Sequence, residues 1–258
     1  MADASGERLR AQFLRQERQI EDLLNVVIPM GVAMVGQPDF NYLLEMILLG
    51  AKRVCGADGG TLYMLGDGSL RFAIIVNDTL GIRMGGTRGA KLPFVSLPLY
   101  DPETGEPNSH NVATHAVLTR RSIRIDDAYQ MQRAGFDGPQ SFDERNHYHT
   151  RSLLTVPLVG GDETVIGVLQ IINARDPLTG EFGPFGAAHQ RMVETLAMLA
   201  SAAVEAHARE KRLRIEIHTL RVQIDDARRR RDVQAITDSD SFQDPQNRAR
   251  QMRAGAAT

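Results

Sequence analysis

The stretch Leu153-Leu-Thr-Val-Pro-Leu158 is followed, after a short turn, by Val165-Ile-Gly-Val-Leu-Gln-Ile-Ile172. Both stretches are short and rich in branched apolar residues. Their residues either alternate between apolar and polar or are apolar without interruption, and both patterns are typical of strands in a buried sheet. Gly160-Gly161 stands between them, and paired glycines favour a tight turn. This part of the chain therefore predicts two antiparallel strands joined as a β-hairpin.

Toward the N-terminus, the sequence predicts a second hairpin and a helix before it. Thr61 to Leu65 and Leu70 to Val76 flank the turn sequence Gly66-Asp67-Gly68. An apolar stripe at helical spacing precedes them and consists of Phe40, Leu43, Leu44, Ile47, Leu48, Ala51 and Val54. We expect this helix to end at Gly59-Gly60, because glycine interrupts helices.

Further elements alternate with two long irregular stretches. Asn111 to Leu118 predicts a short helix, and Ser122 to Ile125 predicts a strand. Residues 77–108 and 127–150 lack a regular pattern, apart from a short helix expected near Phe142. The order of elements predicts an α+β fold, in which an antiparallel sheet has helices packed on one face. Irregular stretches of this length usually carry function, so we expect them to close over a ligand.

A heptad pattern begins inside the predicted domain and continues past it. Its positions alternate in steps of four and three and are Met192, Leu196, Leu199, Ala203, Ala206, Glu210, Leu213, Ile217, Leu220, Ile224 and Ala227. Ile at position a with Leu at position d favours parallel dimers. Glu216 and Arg221 can form an ion pair between chains, whereas Arg209 and Arg214 at equivalent positions repel each other. The pattern predicts a homodimer with mechanically connected domains, which is typical of signalling proteins.

The N-terminal region also has helical character. Mostly apolar residues from Leu9 to Val27 alternate in steps of four and three, so Ser5 to Val27 predicts a further dimerisation helix. Gly31 and Gly36-Gln37-Pro38 are expected to end it. The predicted divisions of the chain are an N-terminal helix, 1–36, a central domain, 37–206, a coiled-coil signalling helix, 207–232, and a polar tail, 233–258.

The composition argues against several classes of protein. Hydrophobic residues are 42% and charged residues 24% of the 258 residues, as in globular proteins, and the net charge of −2 gives no general attraction to nucleic acid. The N-terminus is polar and no apolar run is long enough to span a membrane, so we expect a cytoplasmic protein without a membrane partner. The single cysteine, Cys55, excludes an internal disulfide.

Two segments carry a resemblance to a known family. Asn111-Val-Ala-Thr-His-Ala-Val-Leu-Thr-Arg-Arg-Ser-Ile-Arg-Ile-Asp-Asp127 looks like the middle of a GAF domain, where a strand and an acidic turn follow a short helix. Arg151 to Leu158 and Val165 to Asn173 look like its closing hairpin. Over about residues 39–206, the chain resembles GAF domains of bacterial signalling proteins and of cyclic-nucleotide phosphodiesterases and cyclases. The resemblance implies a pocket between the sheet and the long connections, and a sensory or regulatory role.

The chain departs from the nucleotide-binding members of this family at one motif. Asn173 and Phe185 match the motif, but Ala174 replaces its lysine and His189-Gln190 replaces its Asp-Glu. The lysine and aspartate form an ion pair in those members, and losing both costs far less than losing one. The fold is therefore expected to persist. No cofactor is certain, and a cyclic nucleotide is one possible ligand among other small molecules.

The sequence does not indicate catalytic groups. Methionine-sulfoxide reductases of this fold need a resolving thiol, and Cys55 is the single cysteine. His110, His115, His147 and His149 have no third ligand at a useful spacing, so no metal site is expected. We therefore expect a binding protein and not an enzyme.

Eight residues are predicted to line the implied pocket: Asn111, Thr114, Asp126, Asp127, Phe142, Asp143, Thr150 and Arg151. Asn111 begins a helix whose backbone N–H groups would attract an anion. Asp126 and Asp127 can accept hydrogen bonds from a base or an amine, and Phe142 can stack on a ring. Arg151 is the phosphate candidate, because a guanidinium pairs bidentately with oxygens. The other three supply further polar contacts.

Together these features predict a sensor that is a parallel homodimer of GAF domains. A small molecule under the loops would shift the helices by binding two states with different affinity. Residues 233–258 are too few for a catalytic output module, so we expect output in trans through an unknown signalling partner. The alternative is a ligand-free dimerisation or scaffold module. A filled, dry pocket would favour the scaffold, and a polar cavity beside Asn111 and Arg151 would favour the sensor.

Overall fold

The structure is a computed structural model and describes residues 23–87, 92–137, 139–176 and 179–237. Its helices are α1 Ile28–Val35, α2 Phe40–Cys55, α3 Val112–Thr119, α4 Gln140–Asn146 and α5 Ala187–Thr237. A π-helical turn, Leu23–Val27, precedes α1, and a 3-10 helix, Ala128–Ala134, precedes α4. The strands are β1 Ala57–Gly66, β2 Ser69–Asn77, β3 Ile82–Gly85, β4 Leu97–Pro98, β5 Ile123–Ile125, β6 Leu153–Val159, β7 Val165–Arg175 and β8 Phe182–Gly183.

The strands form one antiparallel sheet with the order β3-β2-β1-β7-β6-β5, to which β4 is added beside β2 and β8 beside β7. β1 and β2 form the first predicted hairpin. β6 and β7 form the second, in which Leu153 pairs with Ile172 and Leu158 with Gly167. β1 also pairs with β7, so the two hairpins lie side by side in the sheet. The predicted α+β class with an antiparallel sheet is confirmed.

The bounds of α2 follow from its capping residues. Asp39 Oδ1 accepts hydrogen bonds from two backbone N–H groups of the first turn, at 2.8 and 3.1 Å, as an N-cap does. Gly56, with a φ of +58°, ends the helix in the left-handed conformation. The predicted end at Gly59-Gly60 is wrong, because both glycines lie inside β1. A Cβ on Gly60 would stand 2.8 Å from the backbone oxygen of Gln170, so close strand pairing favours glycine there.

One face of the sheet is covered by α2 and by the first part of α5. The buried apolar residues of this core include Leu43, Ile47, Leu48, Leu62, Ile74, Leu154, Leu158, Leu169, Ile171, Val193, Leu196 and Ala200. Leu196 and Ala203 belong to the heptad pattern, yet both are buried in this core. In this part of α5 the repeat therefore serves packing within one chain, because the sheet of the same chain covers the apolar stripe.

The helix predicted from Ser5 to Val27 falls mostly on residues 1–22, which lie outside the described residues. From Leu23 the chain is helical as far as Val35, so the predicted helix end at Gly31 is wrong. A Cβ on Gly31 would come within 2.5 Å of Leu199 Cδ1 in α5. The glycine thus permits the close approach of two helices.

The chain separates between His207 and Ala208 into two units, and the described part of the second is helical as far as Thr237. Four of its heptad residues are about half exposed: Leu213 at 52%, Ile217 at 50%, Leu220 at 50% and Ile224 at 52%. The structure contains a single chain, and the parallel dimer stays a prediction. The predicted polar tail begins at residue 233, and its residues 238–258 lie outside the described ranges. Within those ranges, no helix has both the length and the apolarity to cross a bilayer.

Candidate ligand-binding site

The face of the sheet opposite α2 and the first part of α5 is only partly filled. The short helix α3 packs on this face, where Ala113 and Val117 contact Tyr63 and Val168. Beside α3 lies a cavity of about 520 Å³, a size suited to a small molecule. Strands β1, β2, β3, β6 and β7 contribute to its lining, together with α3, α4 and their connections.

The part of the cavity formed by the sheet carries neutral polar groups. Thr61 comes from β1, Asn77 from the end of β2 and Gln170 from β7. Gln170 Nε2 donates to Thr155 Oγ1 at 3.0 Å, and Gln170 Oε1 accepts from the Tyr63 hydroxyl at 3.5 Å. The amide of Gln170 is therefore held in one orientation, and fixed polar groups in an apolar pocket orient a ligand.

Aromatic rings form much of the remaining wall. Phe72 contacts both Tyr63 and Phe94, with ring centroids 4.8 and 5.0 Å apart. Phe142 of α4 also lines the cavity and lies edge-on to Tyr148, with centroids 6.4 Å apart. Burial raises the pKa of the Tyr63 hydroxyl, so this group is a neutral donor at physiological pH. The wall thus offers flat apolar surfaces with few ionisable groups.

α4 is held at the cavity by one buried carboxylate. Asp143 is 1% exposed. It accepts from the backbone N–H and the hydroxyl of Thr150, at 2.7 and 2.8 Å, and from the Tyr129 hydroxyl at 3.0 Å. Tyr129 in turn lies against His149, with ring centroids 4.6 Å apart. These contacts position Phe142, the neighbour of Asp143, in the cavity wall.

A buried polar network joins the connection before β6 to β1 and β7. The fully buried carboxylate of Asp58 accepts from Arg175 at 2.9 Å and from the Thr79 hydroxyl at 2.8 Å. It also accepts from the Tyr148 hydroxyl at 2.7 Å. Asn173, with a φ of +56°, donates to the same hydroxyl at 2.8 Å. Burial and the hydrogen bond to Asp58 raise the pKa of Tyr148, which therefore stays neutral as a donor.

Three of the eight predicted site residues, Asn111, Phe142 and Thr150, line the cavity. Asn111 Oδ1 accepts from the Ala113 N–H at 2.9 Å as the N-cap of α3, so the predicted helix start is confirmed. Asp143 is not among the lining residues and acts on the site through Thr150.

The other four predicted residues are not among the lining residues. Thr114 is buried, and its hydroxyl donates to the backbone oxygen of Asn111 at 2.9 Å. Asp126 is exposed, and its Oδ1 lies 3.4 Å from Nε of Arg124 in an ion pair. Asp127 is exposed and accepts from a backbone N–H of the 3-10 helix at 3.0 Å. Arg151 is exposed and is not among the lining residues.

Several lining residues are not predicted from the sequence: Thr61, Tyr63, Phe72, Asn77, Asp137, Arg145, Asn146 and Gln170. A weak signal exists for two of them. Thr61 and Gln170 are polar residues within the mainly apolar middle parts of β1 and β7. A polar residue at such a position indicates that the strand does not face a packed core there. No comparable signal distinguishes Asn77 or Arg145 from surface polar residues.

A second depression, also of about 520 Å³, lies between β6 and α5 and is more open. Its lining includes Arg120, Pro157, Glu194 and Met198. Arg120 and Met198 are largely exposed, as is normal for a solvated groove. The cavity beside α3 is therefore the stronger candidate, because it combines aromatic walls with buried amide groups.

Among the residues that the structure describes, the cavity lining contains no cysteine, histidine or serine. Cys55 is buried in the opposite core, and its Sγ lies 3.8 Å from the backbone oxygen of His189. Burial raises the pKa of this thiol, which lowers its reactivity. In the part of the chain that the structure describes, no three His, Cys, Asp or Glu side chains are grouped as a metal site.

Comparison with known families gives a match to the GAF domain over residues 39–204. The chain belongs to the GAF family. This range contains the whole sheet, the cavity and the part of α5 that packs on the core. GAF domains are typically small-molecule-sensing or regulatory modules. No curated protein matches the chain.

Solved structures are similar to this GAF protein in fold. The GAF domain of an Acinetobacter phosphoenolpyruvate-protein phosphotransferase is 16% identical, with a TM-score of 0.50 over 72% of this chain and 94% of that one. The corresponding domain from Coxiella burnetii is 17% identical, with a TM-score of 0.50 over 74% and 96%. A protein from Burkholderia vietnamiensis described as a GAF sensor is 16% identical, with a TM-score of 0.50 over 74% and 98%.

Proposed function

We propose that this GAF protein senses a small molecule and regulates a signalling partner. The observation that carries the proposal is the cavity of about 520 Å³, whose wall combines aromatic rings with amide and hydroxyl groups. A ligand-free scaffold would be expected to fill this face of the sheet with apolar side chains, as the core under α2 is filled. Open space in a folded domain sacrifices packing energy, and ligand binding would offset that loss.

A cyclic nucleotide is one candidate ligand among small molecules. Among the described residues that line the cavity, Arg145 of α4 is the cationic side chain, and Arg151 is not part of the lining. Because Arg145 is exposed, a phosphate bound to it would lie at the mouth of the cavity. A base or another ring would then occupy the inner part.

We propose a binding protein and not an enzyme. The polar groups of the inner wall are amides and hydroxyls, which orient a ligand but are poor acids and bases at neutral pH. The buried Cys55 thiol, with its raised pKa, is a poor nucleophile.

The proposed signalling form is a parallel homodimer with its output in trans. The exposed heptad residues from Leu213 to Ile224 support it, because pairing would remove this apolar stripe from water. Glu216 and Arg221 take positions where they can form an ion pair between chains. A ligand would act by binding one of two dimer geometries more tightly than the other.

A thermal-shift screen of the full chain against cyclic mono- and dinucleotides, other nucleotides and common metabolites tests ligand sensing. At a free ligand concentration of ~100 times Kd, binding adds about 2.7 kcal/mol to the free energy of unfolding. A saturable shift that is lost in Phe142→Ala and kept in Arg151→Ala would support a sensor with its ligand in the cavity. No shift across the panel would favour the alternative, a GAF dimerisation or scaffold module.

Light scattering of the full chain tests the dimer. We expect the mass of two chains for the wild type and of one chain for a Leu213→Asp, Leu220→Asp variant, because two charges in the seam oppose pairing. The matched control is Ile215→Asp, Val222→Asp, which places the same charges on exposed residues outside the seam. A monomeric wild type would contradict the dimer, and so would equal dissociation of the two variants.

A further inference from the structure

We propose that the second depression, the groove between β6 and α5, is a docking site for a short acidic segment of a partner protein. Arg121 pairs with a carboxylate of that segment, and Met198 covers an apolar side chain beside it. The docking does not depend on the cavity beside α3. Only the identification of this partner as the regulated signalling protein rests on the proposed function.

The groove lies where the outer edge of the sheet is incompletely paired. β5 pairs with β6, and the pair nearest the groove joins Ile123 and Thr155. In the same register Arg121 would stand opposite Pro157, and the pairing ends before this position. Proline has no N–H to donate to a neighbouring strand and is typical of unpaired strand edges. An open space of about 520 Å³ remains there, with β6 on one side and α5 on the other.

The floor of the groove is apolar. Val156 and Ala197 are each only 2% exposed, and Pro157 is also buried. Met198 also lines the groove but is 63% exposed, which places it at the rim. A methionine side chain is flexible and polarizable, so it adapts to the apolar side chain of a partner. Such a contact would remove exposed apolar surface from water.

The cationic wall of the groove is incompletely neutralised. Nη1 of Arg120 lies 3.9 Å from Oε2 of Glu163, and both side chains are largely exposed. Arg121 is exposed and has no hydrogen-bond or ion-pair partner among the described residues. Glu194, on the α5 side, already accepts from Nε2 of Gln190 at 2.9 Å. A guanidinium with free donors pairs well with a carboxylate, so the groove favours an acidic segment.

The lining favours a peptide over a nucleic acid. None of the described lining residues is aromatic, whereas proteins that bind single strands stack the bases on aromatic rings. Two arginines are also few for a polyanion, whose binding depends on many phosphate contacts. A segment bound in the groove would touch α5 directly, because α5 contributes Gln190, Glu194, Ala197 and Met198 to the lining.

NMR of the full chain, labelled with carbon-13 at the methionine methyl groups, tests the docking. The probe is the peptide acetyl-Asp-Leu-Asp-Leu-amide, and the matched control is acetyl-Lys-Leu-Lys-Leu-amide. We expect the acidic peptide to shift the Met198 methyl resonance saturably and to bind about tenfold more tightly than the basic peptide. Absence of a saturable shift of Met198, or equal affinity for the two peptides, would overturn the inference.

Arg121→Glu sharpens the test, because it replaces attraction of the acidic peptide by repulsion. We expect this variant to bind the acidic peptide about tenfold more weakly than the wild type. Arg83→Glu is the matched control, since Arg83 is also exposed and lies on β3, at the opposite edge of the sheet. It should keep the wild-type affinity. Equal losses in the two variants would contradict the role of Arg121.

Two measurements distinguish other occupants of the groove. A single-stranded RNA oligonucleotide that shifts Met198 and binds more tightly than the acidic peptide would overturn the inference in favour of nucleic acid. Light scattering that gives Arg121→Glu a lower mass than the wild type would overturn it in favour of a second copy of this chain. We expect the RNA to bind more weakly and the mass to stay the same.

The thermal-shift screen separates failure of this inference from failure of the proposed function. A saturable ligand shift without binding of the acidic peptide would overturn the docking site and keep the sensor. Binding of the acidic peptide at Met198 without any ligand shift would support the docking site and favour the scaffold module.

Discussion

Alternate residues of the same strand have different roles on the two faces of the sheet. Leu169 and Ile171 of β7 lie in the core under α2, whereas Gln170 and Ile172 line the cavity. The two-residue period of a strand makes this division possible. One face is densely packed, and the opposite face has a cavity of about 520 Å³. Substitutions at adjacent positions should therefore change stability or binding separately.

The largest effect is expected for Leu169→Ala on the packed face. Leu169 is fully buried, and its truncation should lower the free energy of unfolding by about 2–5 kcal/mol, because a cavity remains in a dense core. Ile172→Ala should cost less, since Ile172 is only half-buried and already borders open space. Urea denaturation measures both. Equal losses would show that the two faces are packed alike.

A smaller effect is expected from filling each face. Leu62→Phe overpacks the core and should cost about 1–3 kcal/mol. Thr61→Met, at the adjacent position, extends into the cavity and should change stability by less than about 0.5 kcal/mol. The same change should weaken binding of a compound identified in the thermal-shift screen by about tenfold or more, because it occupies the ligand space. A Thr61→Met protein as unstable as Leu62→Phe would contradict an open cavity.

Tyr148→Phe should have an intermediate effect and a defined pH dependence. Loss of the hydroxyl removes a donor from Asp58 and an acceptor from Asn173, and should cost about 1–2 kcal/mol at pH 8. The folded-state pKa of Tyr148 is raised above its ordinary value near ~10, so its contribution is fully present below pH ~10 and falls at higher pH. The reason is that the unfolded tyrosine ionises first.

Urea denaturation at pH 8 and pH 10.5 measures this slope. Tyr148→Phe should lose less stability over the interval than the wild type. Burial also raises the pKa of Tyr63, so part of the decrease in stability with pH should persist in the variant. Identical slopes for the two proteins would mean that Tyr148 ionises alike in the folded and unfolded states.

The smallest effect is expected for Arg151→Ala. Arg151 is exposed and absent from the lining, so stability should change by less than about 0.5 kcal/mol and ligand affinity should stay the same. The matched variant inside the site is Phe142→Ala, which should weaken binding. A tenfold loss of ligand affinity in Arg151→Ala would instead show that Arg151 contributes to binding.

Local patterns predict the elements well and the use of glycine poorly. Both hairpins follow from short apolar stretches that flank turn residues, because strand alternation is a local property. Gly59-Gly60 and Gly31 are misread as helix ends. Glycine also allows close contact between elements that are distant in sequence. Gly60 leaves room for the backbone oxygen of Gln170, and Gly31 leaves room for the side chain of Leu199.

The cavity residues divide in the same way. Asn111 is predictable because an N-cap is recognised within its own helix. Arg151 is not among the lining residues, whereas its neighbour Thr150 is, because extended backbone sends adjacent side chains to opposite sides. Thr61, Asn77 and Gln170 come from three strands, and their meeting depends on how those strands pair.

The sequence by itself determines the GAF family, the antiparallel α+β fold, the cap of α3 and the heptad stripe, because each depends on residue types at short, regular spacing. Strand register and the anchoring of α4 by Asp143 determine which side chains share the cavity. These are consequences of packing between distant segments, and no local pattern of residues contains them.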